Sequence, residues 1–295
     1  MASERGALAQ GLALGLFASL LLAFGLMMMK VRADALPIAR GRGTLGAVMA
    51  WIRDPIWIGG LAVQTAGYAL YMVALVGVPV SMMAVAMQGG IALFVVLAVV
   101  FLGERARIWE WLGIGAFLVA ALMLAGSLDA GALQSPLDTR ALAIASVGAV
   151  AITLMLLIPP VLRQNGAATA IASGIALGFA SLYTKPLADR LAGAADFAAF
   201  AAVLLGSPYT YLTIVTNVAG LVMLQNSFAM GRGIIAMPLS SAISNVIPIA
   251  GGIVAFGERL PDDSFAAAMR AGAFVLTIVA SAALAAGDLG AGASR

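Results

Sequence analysis

The side chains in this chain that could do chemistry are few and mostly neutral. Cys and His are both absent from the 295 residues. That removes thiol nucleophiles, disulfide staples and the usual zinc or haem ligands. What remains inside the apolar stretches is a set of amides, hydroxyls and phenols. Gln64, Thr65, Tyr68 and Tyr71 share one stretch, and Gln88 lies in the next. Thr216, Asn217, Gln225 and Asn226 lie in a later one, followed by Ser240, Ser241, Ser244 and Asn245. Gln64, Tyr68 and Tyr71 fall at i, i+4 and i+7, one face of a helix, and Ser241, Ser244 and Asn245 also share a face. Such groups bind by donating and accepting hydrogen bonds, so they suit a neutral, zwitterionic or amphipathic small molecule. They supply no nucleophile and no metal site, and no enzyme or cofactor is expected. The competing use is interhelical hydrogen bonding, worth about 0.6 kcal/mol per contact.

A second pattern uses charge. Gly103-Glu104-Arg105 and Gly257-Glu258-Arg259 each follow an apolar run, 154 residues apart. A carboxylate at a helix C-terminus opposes the helix dipole. Glu104 and Glu258 are therefore expected to gain from the N-terminal amides of the following helix or from a nearby Arg. A gate-locking ion pair is the alternative. Lys185, just before Pro186, is expected either to snorkel to the interface or to stand at the mouth of a cavity. Arg270 is expected near the same helix ends, within reach of Glu258, Asp262 or Asp263.

The elements that must position these residues follow from composition. The chain is 63% hydrophobic and 10% charged, with a mean hydropathy of +1.06. Soluble chains carry about 25% charged residues, so this one belongs in a membrane. Sixteen Lys and Arg are scattered through the loops without an aromatic-laced basic cluster, which argues against nucleic acid. About 20 apolar residues cross a hydrocarbon core. Nine stretches qualify: 7–29, 56–75, 79–102, 108–126, 140–162, 166–184, 207–229, 234–256 and 265–286. Their continuous apolar character predicts helices, not barrel strands. Residues 185–206 are apolar enough to lie in the interface or dip into the membrane.

Gly11, Ala13, Leu14 and Gly15 match Gly174, Ala176, Leu177 and Gly178 at a spacing of 163. With one deletion, Phe17-Ala18-Ser19 matches Phe179-Ala180-Ser181. The Gly-Glu-Arg elements recur in the same order. The reading is a first unit over 1–126, a linker with one extra helix over 127–165, a second unit over 166–287 and a tail over 288–295. An odd number of crossings before the second unit inverts it, giving an all-α membrane protein of two inverted four-helix repeats, an architecture of secondary transporters. One set of loops carries ten Lys and Arg against six on the other. The positive-inside rule then places the C-terminus in the cytoplasm and the N-terminus outside, in a bacterial inner membrane.

An apolar helix, a small-residue helix ending in Gly-Glu-Arg, and Trp111-Leu112-Gly113 opening the next helix together resemble the EamA domain of the drug/metabolite transporter superfamily. Nine helices, a cationic first loop, an extra fifth helix, Gln225-Asn226 and Pro238 resemble its NIPA-type magnesium transporter branch. The resemblance implies a carrier of small solutes working by alternating access. It departs from the magnesium branch at TAGYALY, where Tyr68 follows Gly67 in place of an acidic residue. Mg²⁺ wants oxygen ligands, usually including carboxylates, and no expected helix interior holds one. A neutral or amphipathic solute is the first expectation. Magnesium transport is the second, and lipid binding or flipping the third. The expected partners are the solute and membrane lipid, with the chain a monomer or homodimer.

Overall fold

The computed structural model describes residues 2–33, 53–102, 108–127, 137–158, 166–230 and 233–292. Glu104, Arg105 and most of the cationic first loop lie outside them, and the side chain of Gln225 is likewise not described. Among the described residues every regular element is a helix. They are α1 (Ala2–Ala33), α2 (Pro55–Leu75), α3 (Val80–Ala86), α4 (Gln88–Leu102), α5 (Ile108–Gly126) and α6 (Thr139–Leu157). The order continues with α7 (Gly166–Ala192), α8 (Phe197–Gly206), α9 (Pro208–Met230), α10 (Gly233–Ala255) and α11 (Ser264–Gly292).

Their starts follow local chemistry. The Asp54 carboxylate accepts from the amides of Ile56 and Trp57 at the head of α2, with Pro55 in the first turn. Asp138 caps α6 through Arg140 and Ala141, and Asp196 caps α8 through Ala199. Asp263 accepts from Ala266 and opens α11.

Among the described residues, four helices are long and apolar enough to span a membrane: α1, α2, α6 and α7. A fifth span is formed if α8 and the first part of α9, bent by 61° at Ser207, count together. Their outward faces are apolar, as at Val73, Val147 and Met155. Burying such surfaces in lipid is the favourable outcome, so the chain is a helical membrane-embedded protein.

Two stretches differ from expectation. The one over 79–102 is a broken helix, interrupted at Met87 between α3 and α4 and beside Gly89-Gly90. The one expected to end at 184 runs on through Pro186 to Ala192. The remainder of 185–206 forms α8. Ten residues rise about 15 Å, too short to cross, and none of its residues is buried.

The helices pack in two parallel series. In the first, α1 lies along α2 and α4, and α4 meets α5; in the second, α7 lies along α9 and α10, and α10 meets α11. Across the middle, α5 packs on α11 and α3 on α10, while α6 lies against α7. Close crossings depend on glycine. A Cβ at Gly25 would sit 2.6 Å from the Gly60 carbonyl oxygen, and one at Gly60 2.7 Å from that of Gly25. Gly174 and Gly178 play the same part against Ser240, Ile243 and Ile247 of α10.

Candidate functional site

Between α1, α2, α3, α7, α9 and α10 lies a cavity of about 600 Å³. That is within the range of pockets for drug-sized ligands, about 300–1,000 Å³. Of the polar residues singled out by sequence, Gln64, Thr65, Tyr68, Tyr71, Asn217, Ser244 and Asn245 line it. None of the described lining side chains is charged.

Hydrogen bonds connect the two series of helices at this cavity. Thr184 Oγ1 is 2.7 Å from the Ala180 carbonyl and donates to it. The Tyr68 phenol, 2.6 Å away, therefore donates to Thr184 Oγ1. It accepts in turn from Asn217 Nδ2 at 3.2 Å, whose other hydrogen reaches the Thr213 carbonyl at 2.9 Å. This chain ties α2 to α7 and α9. Beside it, Asn245 Nδ2 donates to Gln88 Oε1 at 3.1 Å, and Gln88 Nε2 to the Ala84 carbonyl at 2.9 Å. Gln88 is only 1% exposed and does not line the cavity; it holds Asn245 from behind. Gln64 Nε2 lies 3.5 Å from the Leu22 carbonyl, at the α1–α2 contact.

Two further expected positions are placed elsewhere. Asn226 is exposed and outside the cavity, and Ser241 is half-buried but does not line it. Gln225 falls among the side chains not described. Three polar lining residues are not among the candidates read from sequence. Ser19 and Ser181 both face the cavity, and they are the serines that close the two matching Phe-Ala-Ser segments. The internal match is the signal that could have found them. Thr213 also lines it, one turn before Asn217.

At one end of the bundle, buried charges hold helix ends together. Lys185 is 1% exposed, well inside α7, and so neither snorkels nor lines the cavity. Its Nζ donates to the carbonyls of Leu75 at 2.7 Å and Val76 at 3.0 Å, and to Asp189 Oδ1 at 3.0 Å. A cation thus sits on the C-terminus of α2, where the dipole favours it. Four residues on, the N-terminus of α3 receives an anion. Glu258 accepts from the Val80 amide at 2.6 Å, from the Ser81 amide at 3.2 Å and from the Ser81 hydroxyl. These amides belong to α3, not to the helix that follows Glu258, whose first turn is served by Asp263. So the α2–α3 break is clamped from the second series by one charge of each sign.

The Gly of this Gly-Glu-Arg element has a definite task. Gly257 takes φ 57°, the left-handed conformation that ends α10. The Glu258 amide then turns back to the Gly252 carbonyl at 3.0 Å. Gly252 leaves room for the carboxylate, since a Cβ there would strike it. Arg259 is exposed, but its carbonyl faces Arg270 Nη1 at 3.5 Å. Arg270, 2% exposed, also donates Nη2 to the Ser127 carbonyl at 2.7 Å, so it caps α5. The expectation for Arg270 is a carboxylate partner, Glu258, Asp262 or Asp263; among the described residues its guanidinium reaches the Ser127 and Arg259 carbonyls.

Burial raises the Glu258 carboxyl above the ordinary carboxylate range, and outweighs the Ser81 and Val80 hydrogen bonds and the Lys185 charge that lower it. For an acid whose folded value lies above its unfolded one, stability is fullest below the unfolded value and is lost as pH rises through the folded value. Glu258→Gln, which does not titrate, is expected to flatten this part of the pH dependence of thermal unfolding. An unchanged slope in the variant would show that Glu258 does not set it.

The fold and site together define a helical membrane protein with a cavity whose described lining side chains are uncharged. Set against protein-family models, curated proteins and solved structures, the chain matches none.

Proposed function

We propose that this chain is a carrier of the drug/metabolite transporter type, moving a small neutral, zwitterionic or amphipathic solute by alternating access. The observation that carries this reading is the uncharged cavity, bordered by helices of both series and bridged by Tyr68–Asn217 and Gln88–Asn245. The nine stretches are nine crossings in this reading, and the two packing series are two inverted repeats. Support comes from their matching order of contacts, α1 with α2 and α4 against α7 with α9 and α10. The broken α3–α4 helix beside the cavity also fits a carrier, where discontinuous helices flank the substrate. The clamp of Lys185 and Glu258 on the α2–α3 break is then the gate of one side, the outside by the distribution of Lys and Arg.

A thermal-shift screen of neutral and zwitterionic solutes on the purified protein tests the site. Tyr68→Phe breaks the bridge to Asn217, and Asn245→Ala leaves Gln88 Oε1 unpaired. Each is expected to weaken a stabilising solute by about tenfold, one to two hydrogen bonds' worth. A solute whose effect both variants leave intact would refute this cavity as the site. Stabilisation by sub-millimolar Mg²⁺ alone would favour the magnesium reading.

A further inference from the structure

The cavity is not polar throughout, and the arrangement of its walls says more about the solute. Near the clamped end, Ser19 of α1, Tyr68 of α2, Ser181 of α7 and Thr213 and Asn217 of α9 face inward. Toward the opposite end, the same helices present Leu22 and Leu26, Leu61, and Leu221 and Leu224. A molecule filling this space meets Tyr68, Ser181 and Asn217 at one end and a mainly leucine wall at the other, where Gln64 beside Leu22 is the polar exception.

Two of the polar groups await a partner. Thr213 is 4% exposed, lines the cavity, and its hydroxyl makes no hydrogen bond among the described residues. An unmade buried hydrogen bond is unfavourable, so a hydroxyl left this way favours a ligand that completes it once the side chain turns toward the cavity. One turn on, Asn217 spends both hydrogens of Nδ2 on Tyr68 and Thr213, which leaves Oδ1 to accept. Asn217 and Thr213 therefore offer an acceptor and a donor-acceptor side by side, with no charge to neutralise an ion.

The route in is lateral. Thr65 of α2 and Ile214 and Val218 of α9 line the cavity and are also exposed, the latter two at 55% and 57%. They continue the outward apolar face formed by Leu212, Val215 and Val222. Between α2 and α9 runs the Tyr68–Asn217 hydrogen bond. The gap beside it joins the cavity to the lipid-facing surface.

We propose that the cavity binds an uncharged single-chain amphiphile, entering from the bilayer between α2 and α9. Its hydroxyl or primary-amide head sits on Thr213 and Asn217 and its hydrocarbon lies toward Leu26, Leu61 and Leu224. This rests on the carrier reading only for what happens after binding. Placing an ammonium or carboxylate head in this uncharged site carries a large desolvation penalty, so charged lipids of the same chain length are refused.

The test uses the full chain in phosphatidylcholine nanodiscs. The probes are twelve-carbon chains bearing a diazirine near the tail, with alcohol, primary-amide, carboxylate or trimethylammonium heads. Alcohol and amide probes are expected to label α9 between 213 and 224 at least about tenfold more than the charged probes. Thr213→Val should reduce that labelling about fivefold, one hydrogen bond's worth, while Thr213→Ser retains it. Because the hydroxyl is unpaired in the empty protein, Thr213→Val should not lower the thermal midpoint. Val218→Trp, at the gap, should slow labelling.

Equal labelling by charged probes, labelling confined to Val215 and Val222, or indifference to Thr213→Val would each overturn the proposal. Counterflow in proteoliposomes separates it from the carrier reading. Labelling without flux keeps the amphiphile site and removes the carrier. Flux of a water-soluble solute without labelling does the reverse.

Discussion

Lys185→Met is expected to lower the thermal midpoint of the purified protein by about 10 °C. Three donors leave with the ammonium. Met supplies none, so the carbonyls of Leu75 and Val76 lose the cation that caps α2. A helix-end carbonyl left buried without a partner costs about 1–3 kcal/mol. In a chain of this size each kcal/mol shifts the midpoint by about 2–4 °C. An opposing effect exists, because an ammonium no longer has to be desolvated. It does not prevail here, because the partners are backbone groups that remain buried after the substitution. Asp189→Asn is the comparison: its side chain is 42% exposed, so solvent screens the pair and the change should stay under about 1 kcal/mol. If Lys185→Met and Asp189→Asn shift the midpoint equally, Lys185 does not cap α2.

Gly60→Ala is the second large effect, expected to cost about 2–3 kcal/mol, a fall of about 5–10 °C. A single carbon is added where α1 and α2 meet backbone to backbone. The new Cβ would lie 2.7 Å from the Gly25 carbonyl oxygen and 2.9 Å from Met29 Cγ. Met29 can swing away, but the carbonyl belongs to α1 and cannot move without the helix. Between membrane helices this close packing is itself the adhesive, since lipid is as apolar as the side chains. Separating α1 from α2 also disturbs the Gln64–Leu22 contact beside the cavity. Gly148→Ala in α6 is the control, since a Cβ there meets nothing within 4 Å. Helix propensity favours Ala at both positions, so an equal thermal fall in Gly148→Ala would show that the crossing is not the cause.

Several features of this protein are legible in the order of its residues alone. The positions of the helices follow from composition. In hydrocarbon a helix satisfies its own backbone, so a long apolar run has few other forms to take. Pro55–Leu75 and Ile108–Gly126 lie within a residue of the stretches read from the sequence. The polar residues able to face a cavity are also readable, because an amide or phenol inside an apolar run has to be accommodated somewhere. Tyr68, Asn217, Gln88 and Asn245 each stand out on that ground, but singly.

Partnership was decided only by the tertiary structure. Tyr68 and Asn217 are 149 residues apart, Lys185 lies 110 from Leu75, and Glu258 lies 178 from Val80. No periodicity links such positions. Each pairing depends on which helix end crosses next to which side chain, and that is set by the glycine contacts and the helix breaks. The Gly-Glu-Arg element illustrates the division. Its placement at the foot of a helix and its need for amide donors came from the order of residues and the sign of the helix dipole. Only the left-handed turn at Gly257, together with the break between α2 and α3, sends Glu258 across the bundle to Val80 and Ser81. A charge removed from water goes to whichever unsatisfied backbone end the packing brings within reach, and here that end belongs to the other half of the chain.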